Sequence, residues 1–319
     1  MAMKTVQLGA TSTSVSAVAL GIMRMVSLTP TQAAQVLTTV HNQGVNFIDG
    51  ADIYGNGQSE TIFGTALKQS GLKREDFFIQ SKGGIVLDPK RSQGDLVFGQ
   101  RYDFSKAHLI AAVDGILKRM QIDYLDSFLL HRPDALMEPD EVAAAFDELQ
   151  AAGKVRHFGV SNFNPMQVAL LQAALSQRLI INQLQFGVMH TGPIQFGFHT
   201  NMTDSASTNH DGEIIEYSRL HQMTIQAWSP YQYGMFAGTF IDNPKFPTLN
   251  AKLQALATSR GVTKNAIATA WILRHPAHMQ VILGSMNPQH LTESIAGTGV
   301  QLTRQEWYDI YFAAGNDLP

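Results

Sequence analysis

The sequence predicts an α/β fold, a single (β/α)8 TIM barrel over residues 1–319 with an N-terminal β-hairpin and extra C-terminal helices. Apolar runs with strand character alternate with stretches of helical spacing, and such alternation implies parallel strands. Eight of these runs occur, spread over about 250 residues, which is the pattern of this barrel. A doubly wound sheet usually has fewer strands and a Gly-rich turn after the first one. No change of composition marks a second domain.

The elements follow from the sequence in order. Residues 4–15, KTVQLGATSTSV, are expected to form the hairpin. The strand candidates, all short and mostly apolar, are SAVALGI, VNFID, DFFIQSK, YLDSFLLH, VRHFGVS, INQLQF, TIQAWS and MQVILGS. The segments with helical spacing are TPTQAAQVLTTVHNQG, SETIFGTALKQS, SKAHLIAAVDGILKRM, EPDEVAAAFDELQAAG, NPMQVALLQAALS, GEIIEYSRLHQ, LNAKLQALATSRG, TKNAIATAWILRH and NPQHLTESIAG. The first helix has Thr29 or Thr31 near its start and Gly44 after its end, which are typical boundary residues.

Composition narrows the classes of function. Hydrophobic residues make up 45% of the chain and charged residues 15%, as in ordinary globular domains. The chain has no cysteine, which excludes disulfides, zinc thiolate sites, iron–sulfur clusters and cysteine nucleophiles. Neither a signal peptide nor an apolar run of about 18 residues is found, so we expect a cytoplasmic protein with no membrane partner. The formal net charge of −3 argues against nucleic acid as a partner.

Four titratable residues stand at or just beyond the ends of three consecutive strand candidates. Asp49 ends the second strand, with Tyr54 in the loop beyond it, and Lys82 ends the third. His131 ends the fourth. Any one of them alone could cap a turn or be satisfied locally. Because the active sites of such barrels form at the carboxyl ends of the strands, the four together favour a site.

These four residue types suit one chemistry. The pKa of tyrosine is near ~10, too high for an efficient proton donor at neutral pH, and a neighbouring lysine ammonium lowers it. Asp49 would hold Lys82 charged, because a buried unpaired ammonium is costly. His131 could orient a substrate oxygen beside Tyr54. Together these residues predict a general acid that protonates a developing alkoxide. This proton transfer is the half-reaction that accompanies hydride addition to a carbonyl.

Six segments follow one another along the predicted barrel: FIDGADIYGNGQSE, IQSKGGI, LLHRPD, GKVRHFGVSNF, NQLQF and VILGSMNPQHLTES. In their order and spacing the sequence resembles the aldo-keto reductase family over almost its entire length. The resemblance implies an NADP-dependent oxidoreductase that reduces aldehydes or ketones to alcohols, with a small-molecule carbonyl compound as substrate. It also implies a catalytic tetrad of Asp49, Tyr54, Lys82 and His131, with Tyr54 as the general acid.

The same resemblance implies a site for NADP(H), with NAD(H) as the alternative cofactor. Its expected residues are Gly21, Met23, Arg24, Asp49, Ser161, Asn162, Gln183, Trp228, Ser229, Gly284, Ser285, Asn287, His290 and Glu293. Of these, Ser161, Asn162 and Gln183 are expected to bind the nicotinamide carboxamide. Trp228 is expected to stack on the nicotinamide ring.

Three positions depart from the family's usual residues. Gly50 stands where the family usually has Thr, beside the tetrad. Gly284 and His290 stand where many members have basic residues around the 2′-phosphate. Both replacements remove positive charge, so the preference for NADPH over NADH is expected to be smaller than in relatives with arginine. The phosphate would then bind Ser285, Asn287 and the backbone N–H groups at the helix start.

The substrate pocket is expected to be shaped by the βα loops. The implied substrate residues are Tyr54, His131, Tyr102, Phe186 and Trp228. Arg24 and Arg101 could receive a carboxylate or simply lie in solvent. The long segment 188–211, with Phe196 and Phe198, either folds over the mouth of the pocket or is a surface excursion.

Two other functions stay open at this point, and a third is disfavoured. A barrel enzyme could use Lys82 as a Schiff-base nucleophile. A relative with little turnover could instead act as a cofactor-binding regulatory subunit. A metal-dependent hydrolase is disfavoured because no H-x-H pair or other compact ligand cluster ends a strand. The sequence does not predict the oligomeric state.

Overall fold

Eight parallel strands close into a barrel, and at least one helix joins each strand to the next. This computed structural model describes residues 3–92, 98–198, 214–234 and 237–316. The strands are β1 (Thr5–Gln7), β2 (Ser14–Ser16), β3 (Val18–Gly21), β4 (Phe47–Asp49), β5 (Phe78–Gly83), β6 (Ile85–Leu87), β7 (Gly99–Tyr102), β8 (Leu125–Leu130), β9 (Val155–Ser161), β10 (Leu179–Gln185), β11 (Thr224–Trp228) and β12 (Gln280–Leu283). The barrel takes its strands in chain order, β3, β4, β5, β8, β9, β10, β11 and β12, and closes where β12 pairs with β3. The predicted TIM barrel is confirmed.

The helices connect these strands. They are α1 (Pro30–Asn42), α2 (Gln58–Ser70), α3 (Lys106–Met120), α4 (Pro139–Ala151), α5 (Pro165–Gln172), α6 (Gly192–Phe198), α7 (Ile214–Leu220), α8 (Pro247–Arg260), α9 (Lys264–Leu273), α10 (Pro288–Ile295) and α11 (Arg304–Ala313). Every predicted helix is present, with its ends shifted by a few residues. No helix of the described ranges has the length and apolar character that a membrane span requires.

Two antiparallel pairs lie outside the barrel. β1 and β2 form the predicted N-terminal hairpin. β6 and β7 form a second hairpin within the segment that follows the third barrel strand, where the sequence indicated only a loop. These two strands have three and four residues, too few for apolar periodicity to reveal them. The second hairpin carries Tyr102 beside the carboxyl end of the barrel.

The start of α1 is fixed by a capping box. The Thr29 hydroxyl accepts a hydrogen bond from Gln32 N, and Gln32 Oε1 accepts one from Thr29 N. Thr29 is therefore the cap, and Thr31 lies inside the helix. At the other end Gly44 has a φ of +85°, a left-handed conformation that glycine adopts without strain.

Helix α5 ends earlier than its sequence predicts. Gln172 explains the difference, because its side chain holds the turn that follows. Its Nε2 donates to Gln177 O at 2.8 Å, and its Oε1 accepts from Leu179 N at 2.9 Å. These two bonds lead the chain directly into β10.

The C-terminal helix is joined to the barrel's outer layer by a pair of tryptophans. Trp271 of α9 and Trp307 of α11 stack with ring centroids 4.6 Å apart and planes 8° from parallel. Each indole Nε1 donates to the other residue's carbonyl oxygen at 3.0 Å. Both donors of these buried rings are thereby satisfied, as buried tryptophan requires.

Candidate active site

The carboxyl ends of the barrel strands open into a cavity of about 910 Å³, a size suited to a small molecule or cofactor. The predicted site residues that line it are Gly21, Met23, Arg24, Asp49, Tyr54, Tyr102, His131, Ser161, Asn162, Gln183, Trp228, Ser229, Gly284, Ser285, His290 and Glu293. One cavity therefore contains three members of the predicted tetrad and the segment that follows the last barrel strand.

The fourth tetrad member, Lys82, lies buried beneath the cavity in an ion pair with Asp49. Its Nζ donates to the two carboxylate oxygens of Asp49 at 2.8 and 2.9 Å and to Gly50 O at 2.6 Å. The two side chains are 0% and 3% exposed. Burial alone would lower the pKa of Lys82, but the charges of Asp49 and Tyr54 outweigh it and the pKa is raised. Lys82 is thus an ammonium ion.

Tyr54 and His131 face each other above this pair. Their ring centroids are 5.9 Å apart with the rings nearly perpendicular, and Lys82 Nζ is 5.1 Å from the Tyr54 centroid. Burial raises the pKa of Tyr54, and the lysine charge opposes this without overcoming it. Lys82 therefore acts on the pKa of Tyr54 in the expected direction, but burial outweighs it and the pKa stays above its ordinary value. Burial, followed by the charges of Lys82 and Arg132, holds the pKa of His131 well below its usual value, so the imidazole is neutral.

A buried layer of glutamines supports Asp49 from below. We call Gln80, Gln183, Gln226 and Gln280 the glutamine network. Gln80 and Gln183 each donate to Asp49 Oδ1, at 2.7 and 3.0 Å. Both also donate to Gln226 Oε1, and Gln226 donates to Gln280 at 2.7 Å. Because the network spans four strands of the barrel, it fixes the orientation of the carboxylate that binds Lys82.

Two residues at strand ends have left-handed backbones that non-glycine residues rarely adopt. Asn162, after β9, has a φ of +59°, and Ser229, after β11, has a φ of +47°. The Asn162 amide donates to Ser161 Oγ at 2.8 Å, and Ser161 Oγ donates to Gln183 O at 3.0 Å. Such backbone strain clusters at functional sites. Here both residues line the cavity.

The far end of the cavity lies at the start of α10. The Asn287 side chain accepts from Gln289 N at 2.9 Å and so caps the helix. Ser285 Oγ accepts from Asn287 N at 3.1 Å. Arg24 crosses from the first βα loop and its Nη1 donates to Gly284 O at 3.4 Å. This end of the cavity therefore combines a helix N-terminus with a cation, a combination that suits phosphate.

Comparison with known proteins identifies the family. The model of the "Aldo/keto reductase family" matches residues 17–311, which include all of the barrel strands. The chain belongs to the aldo/keto reductase family.

Individual aldo/keto reductase relatives cover most of the chain. It is 34% identical to a 6-dehydroglucose reductase of Agrobacterium fabrum over 273 residues, 85% of this chain and 84% of that protein. It is 35% identical to Oxidoreductase YdhF of Escherichia coli over 278 residues, 86% and 85% of the two chains. At 25% identity it also matches a "Probable voltage-gated potassium channel subunit beta" of Arabidopsis thaliana over 294 residues, 84% and 82%.

The fold is shared with solved aldo/keto reductase structures. An aldo-keto reductase from Klebsiella pneumoniae in complex with NADPH has a TM-score of 0.75 to this chain, at 23% identity. The match covers 97% of this chain and 94% of that one. A glycerol dehydrogenase from Gluconobacter oxydans has a TM-score of 0.77, also at 23% identity, over 98% and 95% of the two chains.

Besides Lys82, two predicted site residues of this aldo/keto reductase lie away from the cavity lining. Phe186 is 1% exposed and stacks on Trp271 with centroids 5.5 Å apart. The expectation that it forms a wall of the substrate pocket is wrong, because its ring packs against α9. Asn287 is not a lining residue either, since its side-chain oxygen caps α10. Any contribution of Asn287 to an anion site would be through the helix start that it stabilises.

The long segment 188–211 is described only in part. Val188 and Thr191 at its start are buried, and Thr191 Oγ1 is hydrogen-bonded to Asn316 Oδ1 at 3.0 Å. Helix α6, which the sequence did not predict, follows at once. The side chains of Phe196 and Phe198 and all of residues 199–211 lie outside the described residues. Both interpretations of this segment, a cover over the pocket and a surface excursion, stay predictions.

Sequence reasoning missed several residues of the aldo/keto reductase site. Arg132 directly follows His131 and lines the cavity. The sequence could have indicated it by position, because it is the second residue after an apolar strand, at the active end of the barrel. Gln226 and Gln280 are polar residues in mostly apolar strands. Their partners could not be identified from the sequence, because the sequence does not show which strands face each other.

Asp52 is a further carboxyl close to the tetrad, in a residue that is only partly buried. Its Oδ1 is buried and has no hydrogen-bond partner among the described residues, and its backbone N donates to Lys82 O at 3.0 Å. The neighbouring Glu60 is better satisfied, because it accepts from Ser81 and Arg119 at 2.9 and 2.7 Å. Burial, and after it the charge of Glu60, raises the pKa of Asp52 to about 8. Asp52 is therefore protonated at neutral pH.

Asp52→Asn is expected to make stability less dependent on pH. Folded Asp52 keeps a proton that the unfolded chain releases above a pKa of about 4, so the free energy of unfolding falls as pH rises from about 4 to 8. The amide has the shape of the protonated carboxyl and does not titrate. The stability of the variant relative to the wild type should therefore increase as pH rises across this window. Urea unfolding at pH 5, 6.5 and 8 measures the difference. Parallel pH dependences for the two proteins would show that Asp52 is ionised in the fold.

Proposed function

We propose that this aldo/keto reductase reduces aldehydes or ketones to alcohols with NADPH, and that Tyr54 is the general acid. The observation that carries the proposal is the arrangement of the tetrad. Tyr54 and neutral His131 face one cavity while the Lys82–Asp49 ion pair lies buried directly behind them. This arrangement provides a proton donor, a cation to stabilise the resulting phenolate and a carboxylate to hold that cation.

The cavity also suits a nicotinamide dinucleotide. Ser161 and Asn162 offer polar groups near the tetrad, and Gly284 with the start of α10 offers backbone N–H groups at the other end. The indole Nε1 of Trp228 is buried without a hydrogen-bond partner among the described residues, which marks a place for a ligand. When bound, the cofactor supplies the hydride. The protein's residues hold it beside Tyr54.

In this proposal the tetrad carries out the proton transfer to the substrate. His131, being neutral, donates an N–H to the substrate carbonyl oxygen and orients it toward Tyr54. Tyr54 gives its phenolic proton to that oxygen as negative charge develops on it. Burial opposes the phenolate that remains, and the Lys82 ammonium stabilises it. Asp49 and the glutamine network keep Lys82 charged and in place throughout.

The alternatives fit the geometry less well. A Schiff-base enzyme needs a neutral amine at Lys82. Here three acceptors take the hydrogens of a buried ammonium ion. A metal-dependent hydrolase needs a ligand cluster, and the described residues contain no group of three or more histidine or acidic side chains that could hold a metal ion. A regulatory subunit is suggested by the relative named as a potassium channel subunit, but the complete tetrad favours turnover.

The test is a turnover assay with a panel of aldehydes and ketones. NADPH and NADH are each supplied, and oxidation is followed by absorbance. Because two relatives are named 6-dehydroglucose reductase, the panel includes dehydro sugars beside aromatic and aliphatic carbonyls. Cofactor binding without turnover of any member would instead support the regulatory subunit.

A further inference from the structure

Arg132 has no partner within the part of the chain that the structure describes. It lines the cavity next to His131 and is only half exposed. Neither a hydrogen bond nor an ion pair to its guanidinium exists among the described residues. The other half-buried arginines contrast with it, because each has an acceptor: Arg74 binds Asp126, Arg119 binds Glu60 and Arg260 binds Glu306.

The surroundings of Arg132 leave its positive charge uncompensated. Its guanidinium carbon lies 5.7 Å from the Trp228 ring centroid, and the aromatic residues Tyr54 and Tyr102 line the same cavity. The carboxylate of Asp49, which also lines the cavity, is already engaged by Lys82. Arginine keeps its charge at any pH where proteins fold, and partial burial of that charge without a partner is costly. A ligand that supplies an acceptor removes this cost.

We propose that Arg132 binds an anionic group of the carbonyl substrate, a carboxylate, phosphate or sulfonate. The guanidinium presents a planar fork of donors that matches such groups through two parallel hydrogen bonds. Arg132 directly follows His131, the residue proposed to orient the substrate carbonyl, so this contact would lie close to the reacting group. The inference rests on the proposed carbonyl reduction and narrows its substrate class.

The two other candidate arginines are excluded by their contacts. Arg101 does not line the cavity, and its side chain is 58% exposed and paired with Asp103. Arg24 lies at the far end of the cavity, on Gly284 O. Only Arg132, of the three, is adjacent to a tetrad residue.

The experiment compares matched charged and neutral substrates. The pairs are 3- and 4-carboxybenzaldehyde against the corresponding carboxamides, assayed with wild type, Arg132→Gln and the control Arg101→Gln. The wild type should prefer the carboxylates, and Arg132→Gln should lower the carboxylate-to-carboxamide ratio of kcat/KM by about 10- to 100-fold, as expected for loss of a charge-assisted hydrogen bond. Arg101→Gln should leave the ratio unchanged. The Kd of NADPH, measured by calorimetry, should not differ among the three proteins.

A binding measurement separates this inference from the proposed function. The Kd values of 4-(hydroxymethyl)benzoate and its carboxamide are measured by calorimetry on the NADP-loaded proteins. If wild type binds the benzoate more tightly than the carboxamide, and Arg132→Gln loses this difference, the inference is supported. This holds even if no carbonyl is turned over, because a lack of turnover would count only against the proposed function. Turnover of neutral carbonyls without any preference for the carboxylates overturns it. So does an Arg132→Gln variant that weakens NADPH binding and affects both substrate types equally, because Arg132 would then serve the cofactor.

Discussion

We expect Tyr54→Phe to lower kcat/KM for carbonyl reduction by about 10²- to 10⁴-fold, which is the usual contribution of a general acid. The substitution removes only the phenolic O–H. The ring keeps its place against His131 and above Lys82. In the proposed mechanism the phenol acts on the substrate oxygen, so the Kd of NADPH should change little. Steady-state kinetics and calorimetry on the same preparations measure the two quantities.

The matched control for this variant is Tyr124→Phe. Tyr124 does not line the cavity, and its ring centroid lies 3.6 and 3.8 Å from the guanidinium carbons of Arg74 and Arg156. Removal of its hydroxyl should leave the rate within a few fold of the wild type. Full activity in Tyr54→Phe would remove the tyrosine from the chemistry and leave the barrel and cofactor site without an identified acid.

Lys82→Met is expected to damage both catalysis and stability. Without the ammonium, the phenolate of Tyr54 loses the charge that opposes the effect of burial. Asp49 is left as a buried carboxylate without a cation, a loss of partner that costs about 3–5 kcal/mol. Urea unfolding at pH 7 measures this cost, and the pH–rate profile measures the effect on the acid.

The sign of the pH dependence follows from the raised pKa of Lys82. The stability that the ion pair contributes is fully present below the lysine's unfolded pKa of about 10.4, and it is lost as pH rises through the higher folded value. The difference in stability between wild type and Lys82→Met should therefore be constant from pH 7 to 9 and shrink only in strong alkali.

A double variant separates the two roles of the lysine. Lys82→Met with Asp49→Asn removes the buried charge as well as its partner, so part of the lost stability should return. Activity should stay low, because the phenolate still has no cation beside it. Recovery of activity together with stability would show that Lys82 matters only for the packing of the barrel.

That Asp49, Tyr54, Lys82 and His131 lie together could be predicted from the sequence because of how barrels are built, whereas their catalytic roles were implied by the resemblance to the family. Asp49, Lys82 and His131 each end an apolar run, and strands that run parallel bring their ends to one face. The prediction needed only strand positions, which apolar periodicity provides. It needed no knowledge of which side chains touch.

Residues that depend on packing between distant elements could not be predicted in this way. Gln80 and Gln226 lie 146 residues apart in sequence and bond across the barrel, a pairing set by register around the closed sheet. Phe186 follows β10 directly and looked like a pocket wall, but its direction is fixed by Trp271 of α9. Whether the pKa of Tyr54 is raised or lowered depends on the balance between burial and the charge of Lys82. The sequence does not give the size of either effect.

The tryptophan pair of α9 and α11 gives the molecule an optical signature. The chain has three tryptophans, and two of them stack as a nearly parallel pair. Two indoles this close interact electronically, so the aromatic circular dichroism of the folded protein should change when α11 detaches. The third, Trp228, lines the cavity, and its emission should respond to whatever binds there. Detachment of the C-terminal helix and occupation of the cavity can thus be followed separately in one unlabelled sample.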